Sequence, residues 1–108
     1  MNTEFKERIF KLMKQVPAGR VVTYGDIAGL AGQANAARVV GGIAHYGDSS
    51  LPWHRLVNRF GGLAAGFPGG REVQARLLEA EGVECLDGVV QDFDQKRCQL
   101  EDFSKAGE

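Results

Sequence analysis

The chain has 108 residues and a formal net charge of −1, with 44% hydrophobic and 25% charged residues. That length suits one domain, 1–108, with a modest core, and no apolar run is long enough to span a membrane. The charge is uneven: residues 1–19 carry +2, residues 20–78 carry +3 as six arginines against three carboxylates, and residues 79–108 carry −6. Arginine suits phosphate recognition, although the chain as a whole is not basic and composition alone does not select nucleic acid. Cys85 and Cys98 are too few for a disulfide framework and show no metal-ligand spacing, so free thiols and no metal are expected. Residues 1–8 are charged throughout and do not read as a secretory leader. A cytoplasmic monomer without a membrane anchor is expected.

In chain order, Phe5, Ile9, Leu12 and Val16 recur at helical spacing and predict an amphipathic helix over 4–16, with Thr3 as its cap. Pro17-Ala18-Gly19 turns the chain into a short extended piece, Arg20-Val21-Val22. Thr23, with Asp26 three residues on, forms a capping-box pattern for a helix from Tyr24 to about Leu30. Ile27, Leu30 and Ala31 make its apolar side, and Gly32 stops it. Asn35 is the expected cap of a third helix, 36–46, with Val39, Val40 and Ile43 inward. Two short helices joined by small residues form a helix-turn-helix pattern. Gly41-Gly42 inside the second costs about 1 kcal/mol per glycine relative to Ala, which a close approach of another segment or of nucleic acid would offset.

Gly47-Asp48-Ser49-Ser50 reads as a loop. Leu56-Val57-Asn58 and Leu63-Ala64 are expected to pair as a hairpin across Gly61-Gly62. Ala65 to Gly70 reads as a mobile loop. A helix over 71–81 has Val73, Leu77 and Leu78 inward and Gly82 after its end. Val83 to Val90 turns at Asp87-Gly88, periodicity fades beyond Gln91, and the end from about 103 is expected to fray.

The stretch Leu51-Pro52-Trp53-His54-Arg55-Leu56-Val57 holds the only Trp. From these residues alone it reads either as a core Trp before a strand or as the wall of a shaped pocket. It resembles the Pro-Cys-His-Arg active-site signature of the O6-alkylguanine-DNA alkyltransferases, with Trp53 where those enzymes carry the acceptor cysteine. Three more stretches resemble that family in the same order. They are Val22-Thr23-Tyr24-Gly25-Asp26-Ile27-Ala28, Ala36-Ala37-Arg38-Val39-Val40-Gly41-Gly42, and Gly69-Gly70 followed by Leu77-Leu78-Glu79-Ala80-Glu81-Gly82. The resemblance covers roughly residues 5 to 95, and the Trp-for-Cys change points to the non-enzymatic alkyltransferase-like branch.

The resemblance implies a small α+β, mostly helical fold, like the alkyltransferase C-terminal domain, with a winged-helix-like helix-turn-helix. It implies DNA contacts from Tyr24, Ala36, Arg38 and Gly41. Arg38 would fill the gap left by an extruded guanine, and Tyr24 would press on the 3′ phosphate of the turned nucleotide. The alkylguanine pocket would be made by Pro52, Trp53, His54, Arg55, Phe67, Pro68 and Gly69. The enzymes usually carry Ser where Pro68 stands, so its hydroxyl contact to the guanine oxygen is absent. His54 and Glu81 resemble the pair that activates the family's cysteine through water, and here would be a structural relic.

Dealkylation needs a thiolate nucleophile, and an indole N–H is a donor without a usable lone pair. The function implied is therefore non-enzymatic and without a cofactor. The protein would bind double-stranded DNA with O6-alkylguanine, flip the lesion and mark it for nucleotide excision repair proteins. Two alternatives stay open: a sequence-specific winged-helix regulator without a base pocket, and an active methyltransferase using Cys85 or Cys98.

Overall fold

The computed structural model describes residues 3–45, 47, 50–99 and 101–103. Helix α1 spans Thr3–Gln15, with Glu4 in its first turn and Lys14 in its last, both favourable to the helix dipole. Its stripe of Phe5, Ile9, Leu12 and Met13, with Val16 just beyond, is buried. Thr3, the expected cap, is itself the first helical residue, and its side chain lies outside the described residues.

Strand β1 (Val22–Thr23) leads directly into α2 (Tyr24–Leu30). The capping box is complete: Thr23 Oγ1 accepts from Asp26 N at 2.9 Å, and Asp26 Oδ2 accepts from Thr23 N at 3.2 Å. Asp26 has a second role, at long range. It receives Arg97 Nε at 2.9 Å and Nη2 at 2.6 Å, tying α2 to the C-terminal part of the chain. Gly32, at φ +97°, ends the turn after Ala31. Helix α3 spans Ala37–His45, so Ala36 rather than Asn35 stands directly before it. The expected last residue, Tyr46, lies outside the described residues, as do Asp48 and Ser49 of the following loop.

The two helices pack on each other as a helix-turn-helix. Ile27, Ala28, Val40 and Ile43 are buried between them and α1. Leu30 and Val39, expected inward, are instead exposed, because each lies at the margin of its helix's apolar face.

A single 3₁₀ turn, Trp53–Arg55, runs into β2 (Leu56–Val57). Strand β2 does not form the expected hairpin with Leu63-Ala64. It pairs in parallel with β1, Val22 opposite Leu56 and Thr23 opposite Val57. Asn58 explains the difference: its side chain accepts from Phe60 N and Gly62 N, each at 2.8 Å, and closes the chain into a local turn. Leu63 N then goes to Gly88 O at 2.8 Å, on a separate hairpin of β3 (Cys85–Leu86) and β4 (Val89–Val90). That hairpin turns at Asp87-Gly88, both with positive φ, as the sequence predicts.

Helix α4 spans Gly70–Glu79 and is followed by Gly82 at φ +87°. Leu78 is fully buried and Val73 half-buried, while Leu77, expected inward, is exposed. The inward position is taken by Gln74, at 0% exposure. The last helix, α5 (Phe93–Lys96), is short. Phe103 does not fray: it is buried against the main core. Residues 104–108 lie outside the described residues. The helices thus enclose one large apolar cluster, and Val21, Val57, Leu63, Leu78, Val83 and Val90 form a second under the two small sheets. No described helix is long and apolar enough to cross a membrane.

Candidate nucleic-acid interface

Between the helix-turn-helix and the loop after Leu63 lies a predominantly apolar cavity of about 420 Å³. Tyr24, Gly41, Ala44 and His45 wall it from the helices, Leu51, Trp53, His54 and Leu56 from the turn and β2, and Ala64, Gly66, Phe67 and Pro68 from the far loop.

Trp53 is set in that wall by the chain around it. Pro52 fixes φ at −81°, Trp53 N donates to Leu51 O at 2.9 Å, and Arg55 N donates to Pro52 O at 3.0 Å. Trp53 is 9% exposed, and its ring meets that of Phe10 edge-on, with centroids 6.0 Å apart at 69°. Phe10 backs it from α1, so the indole is held on the core side and open toward the cavity.

Behind the wall, Glu81 gathers four donors. His54 Nε2 lies 2.8 Å from Oε2, and Arg55 donates through Nε to Oε1 at 3.0 Å and through Nη2 to Oε2 at 2.7 Å. Gly19 N completes the set at 3.2 Å, while Arg55 Nη1 donates to Val16 O at 2.7 Å. Burial alone would raise the Glu81 carboxyl, but the hydrogen bonds from Arg55, then His54, outweigh it and bring its pKa down to about 2. Glu81 is therefore an anion that ties the turn after α1 and the 3₁₀ turn to the segment just beyond α4.

Gln74 does similar work with a neutral amide. Its Nε2 donates to His54 O and Leu56 O, both at 3.1 Å, and its Oε1 accepts from Ala64 N at 2.8 Å. It joins the near and far walls of the cavity. The sequence offered no signal for it beyond a polar residue four before Leu78.

Of the expected pocket residues, Trp53, His54, Phe67 and Pro68 line the cavity. Pro52, Arg55 and Gly69 do not. Pro52 shapes the turn that presents Trp53, and Arg55 points to Glu81 and Val16. Gly69 stands before α4 at φ +88°, where a Cβ would lie 2.6 Å from Val73 Cγ2. Leu51, Leu56, Ala44, His45, Gly47, Ala64 and Gly66 line the cavity without having been singled out as pocket residues.

On the helix-turn-helix, Arg38 is exposed in the first turn of α3, and Ala36 is half-buried against the core. Tyr24 is half-buried at the cavity edge, and burial raises its phenol pKa, so it is a neutral hydroxyl. Gly41 faces the Tyr24 ring, where a Cβ would sit 3.8 Å away, and Gly42 faces open space. Neither glycine is therefore required by a close protein approach.

Both cysteines are free and half-buried, and neither lines the cavity. Burial pushes the Cys85 thiol up and that of Cys98 up to about 12. Among the described residues, no three His, Cys, Asp or Glu side chains gather as a metal site.

Residues 4–83 match the family described as 6-O-methylguanine DNA methyltransferase, DNA binding domain. The chain belongs to this family. Within it, the chain is 44% identical over 81 residues to the DNA base-flipping protein of Escherichia coli strain K12, a match covering 73% of this chain and 62% of that protein. It thus spans less than two thirds of that relative's length. It is 36% identical over 84 residues to alkyltransferase-like protein 1 of Schizosaccharomyces pombe, covering 75% of this chain and 78% of the relative. The crystal structure of S. pombe Atl1 in complex with damaged DNA containing O6-carboxymethylguanine superposes with a TM-score of 0.81 at 28% identity, covering 92% of this chain and 98% of that one. The fold is accordingly the alkyltransferase-like fold, α+β and mostly helical, as its sequence motifs implied.

Proposed function

We propose that this protein binds double-stranded DNA containing O6-alkylguanine, turns the damaged base into the Trp53-lined cavity and holds it there with the alkyl group intact. The observation that carries this reading is the cavity itself: apolar, open beside the helix-turn-helix, and walled by an indole that has no nucleophilic lone pair. The relatives named for base flipping, and the Atl1 complex with alkylated DNA, support it.

The physics runs from the duplex inward. Extruding a base costs a few kcal/mol, and less where pairing is already weakened, as O6-alkylation does by removing the guanine N1–H. Arg38, exposed on the first turn of α3, fills the vacated stack with its aliphatic stem while its guanidinium stays charged. Tyr24 bears on the adjacent phosphate from the cavity edge. Trp53 and Phe67 then offer apolar and aromatic surface to the base. His54 and Glu81, which in the enzymes serve a cysteine, here keep the wall in place. The raised thiol pKa values of Cys85 and Cys98, and their position off the cavity, speak against either as an acceptor. A lesion held but not repaired needs another pathway, and nucleotide excision repair proteins are the proposed partners.

The test is binding to matched duplexes with and without O6-methylguanine, followed by base analysis of the bound DNA. Tighter binding to the lesion, with O6-methylguanine recovered unchanged, is expected. Equal affinity would favour a sequence-specific regulator, and recovery of plain guanine with methyl on the protein would make the chain an enzyme.

A further inference from the structure

The turn after β2 displays an arginine and an aromatic side by side. Asn58 Oδ1 accepts from Phe60 N and Gly62 N, Asn58 N donates to Gly62 O at 3.0 Å, and Gly61 N donates to Asn58 O at 2.9 Å. Gly61 sits at φ +81° with Phe93 packed behind it. The turn is therefore braced from within and from behind, yet Phe60 is 69% exposed, the most exposed large hydrophobic among the described residues. The Arg59 guanidinium lies over the Phe60 ring, 4.8 Å from its centroid. Neither side chain contributes to either core cluster.

Position decides what this pair faces. Strands β1 and β2 are parallel and in register, so the chain leaves both at the same end. From β1 it enters Tyr24 and α2; from β2 it enters Asn58, Arg59 and Phe60. The Arg–Phe turn thus opens at the same end of the β1–β2 pair as Tyr24, which lines the cavity. A cation next to a bare aromatic face suits a sugar–phosphate strand with accessible bases, since stacking accepts any base and arginine pairs with phosphate.

We propose that Arg59 and Phe60 form a further DNA contact, gripping the strand that flanks the flipped nucleotide, with Arg59 on a phosphate and Phe60 stacked on a base or sugar face. This rests on the base-flipping reading for its geometry and adds two contact residues to it. The β3–β4 hairpin joins the other end of the turn through the Gly62–Val89 bridge, and Arg59 and Phe60 stay exposed.

The experiment uses the full chain, duplexes with and without O6-methylguanine, and a salt titration. Phe60→Ala should weaken lesion binding by at least about fivefold, Phe60→Trp should restore it, and Phe60→Leu should not. Arg59→Ala should lower the slope of log affinity against log salt by about one unit. Melting temperatures should stay unchanged, since both positions are exposed. If Phe60→Leu binds like the wild type, the stacking role is overturned. If Phe60→Ala and Arg59→Ala both bind like the wild type while the wild type still prefers the lesion, the contact is overturned and the pocket reading stands. If the wild type shows no lesion preference but both variants weaken both duplexes, the pocket reading fails and this contact stands.

Discussion

Gly47 is flush against the edge of the Trp53 indole. A Cβ at Gly47 would lie 2.6 Å from Trp53 Cζ2 and 2.9 Å from the carbonyl oxygen of Ile43, and neither a fused ring set in the core nor helix backbone can give way cheaply. Gly47→Ala should therefore destabilise by about 1–3 kcal/mol and shift the indole toward the cavity. Chemical denaturation gives the first number, and the emission wavelength of the single Trp reports the second. An unchanged midpoint and spectrum would show that the loop yields instead.

Glu81 makes stability depend on acid. Its carboxyl titrates at about 2 in the fold against about 4.3 in an unfolded chain. A depressed folded pKa means that the stabilisation is fully present above the unfolded value and is lost as pH falls toward 2. Glu81→Gln should flatten this part of the stability profile. At neutral pH it should cost about 2 kcal/mol or more, because Arg55 loses its counter-ion in a half-buried place. Urea titrations at stepped pH from 2 to 7 check both.

Arg38→Ala should weaken binding to O6-methylguanine duplex roughly tenfold, the equivalent of about 1.4 kcal/mol. Binding to single strands should change less, because no gap opens in a strand without a stack. A phosphate contact such as Arg71, exposed on α4, should behave differently when replaced by Ala, weakening all DNA alike and lowering the salt slope by about one unit. Equal losses on duplex and single strand for Arg38→Ala, with that same salt change, would make Arg38 a phosphate contact as well.

Trp53 should report on the base it faces. Its emission should change in intensity or wavelength on adding lesion duplex, and change less with plain duplex at equal occupancy. Direct aromatic–base contact is worth about 1–3 kcal/mol, so Trp53→Ala should cut lesion preference by about that much and spare non-specific affinity. Identical spectra in the two complexes, with preference retained in Trp53→Ala, would return Trp53 to a purely structural role.

The parts of this molecule that sequence reading reached are those set by short-range chemistry. The Thr23–Asp26 box and the Asp87-Gly88 turn are local bonds or local dihedrals, visible within four residues. Leu30, Val39 and Leu77 lie outside the covered strip because helical spacing marks an apolar face wider than that strip. The β1–β2 pairing joins residues 34 apart, out of reach of local patterns, whereas the Asn58 turn is local, and the Gly61-Gly62 hairpin signal competes there with an Asn side chain that closes the turn by itself. Motif resemblance reached Trp53, His54, Phe67 and Pro68 in the cavity wall. Pro52, Arg55 and Gly69 lie off that cavity, since a motif keeps neighbours together in the chain without saying which way each side chain turns.

The buried amide of Gln74 has a consequence for how such a site can change over time. It clamps His54, Leu56 and Ala64 by their backbones, not by their side chains. This clamp is thus independent of which side chains His54, Leu56 and Ala64 carry. A side chain facing the cavity can be exchanged without removing any of these three bonds. The backbone that spaces the walls is tied separately from the side chains that face the cavity.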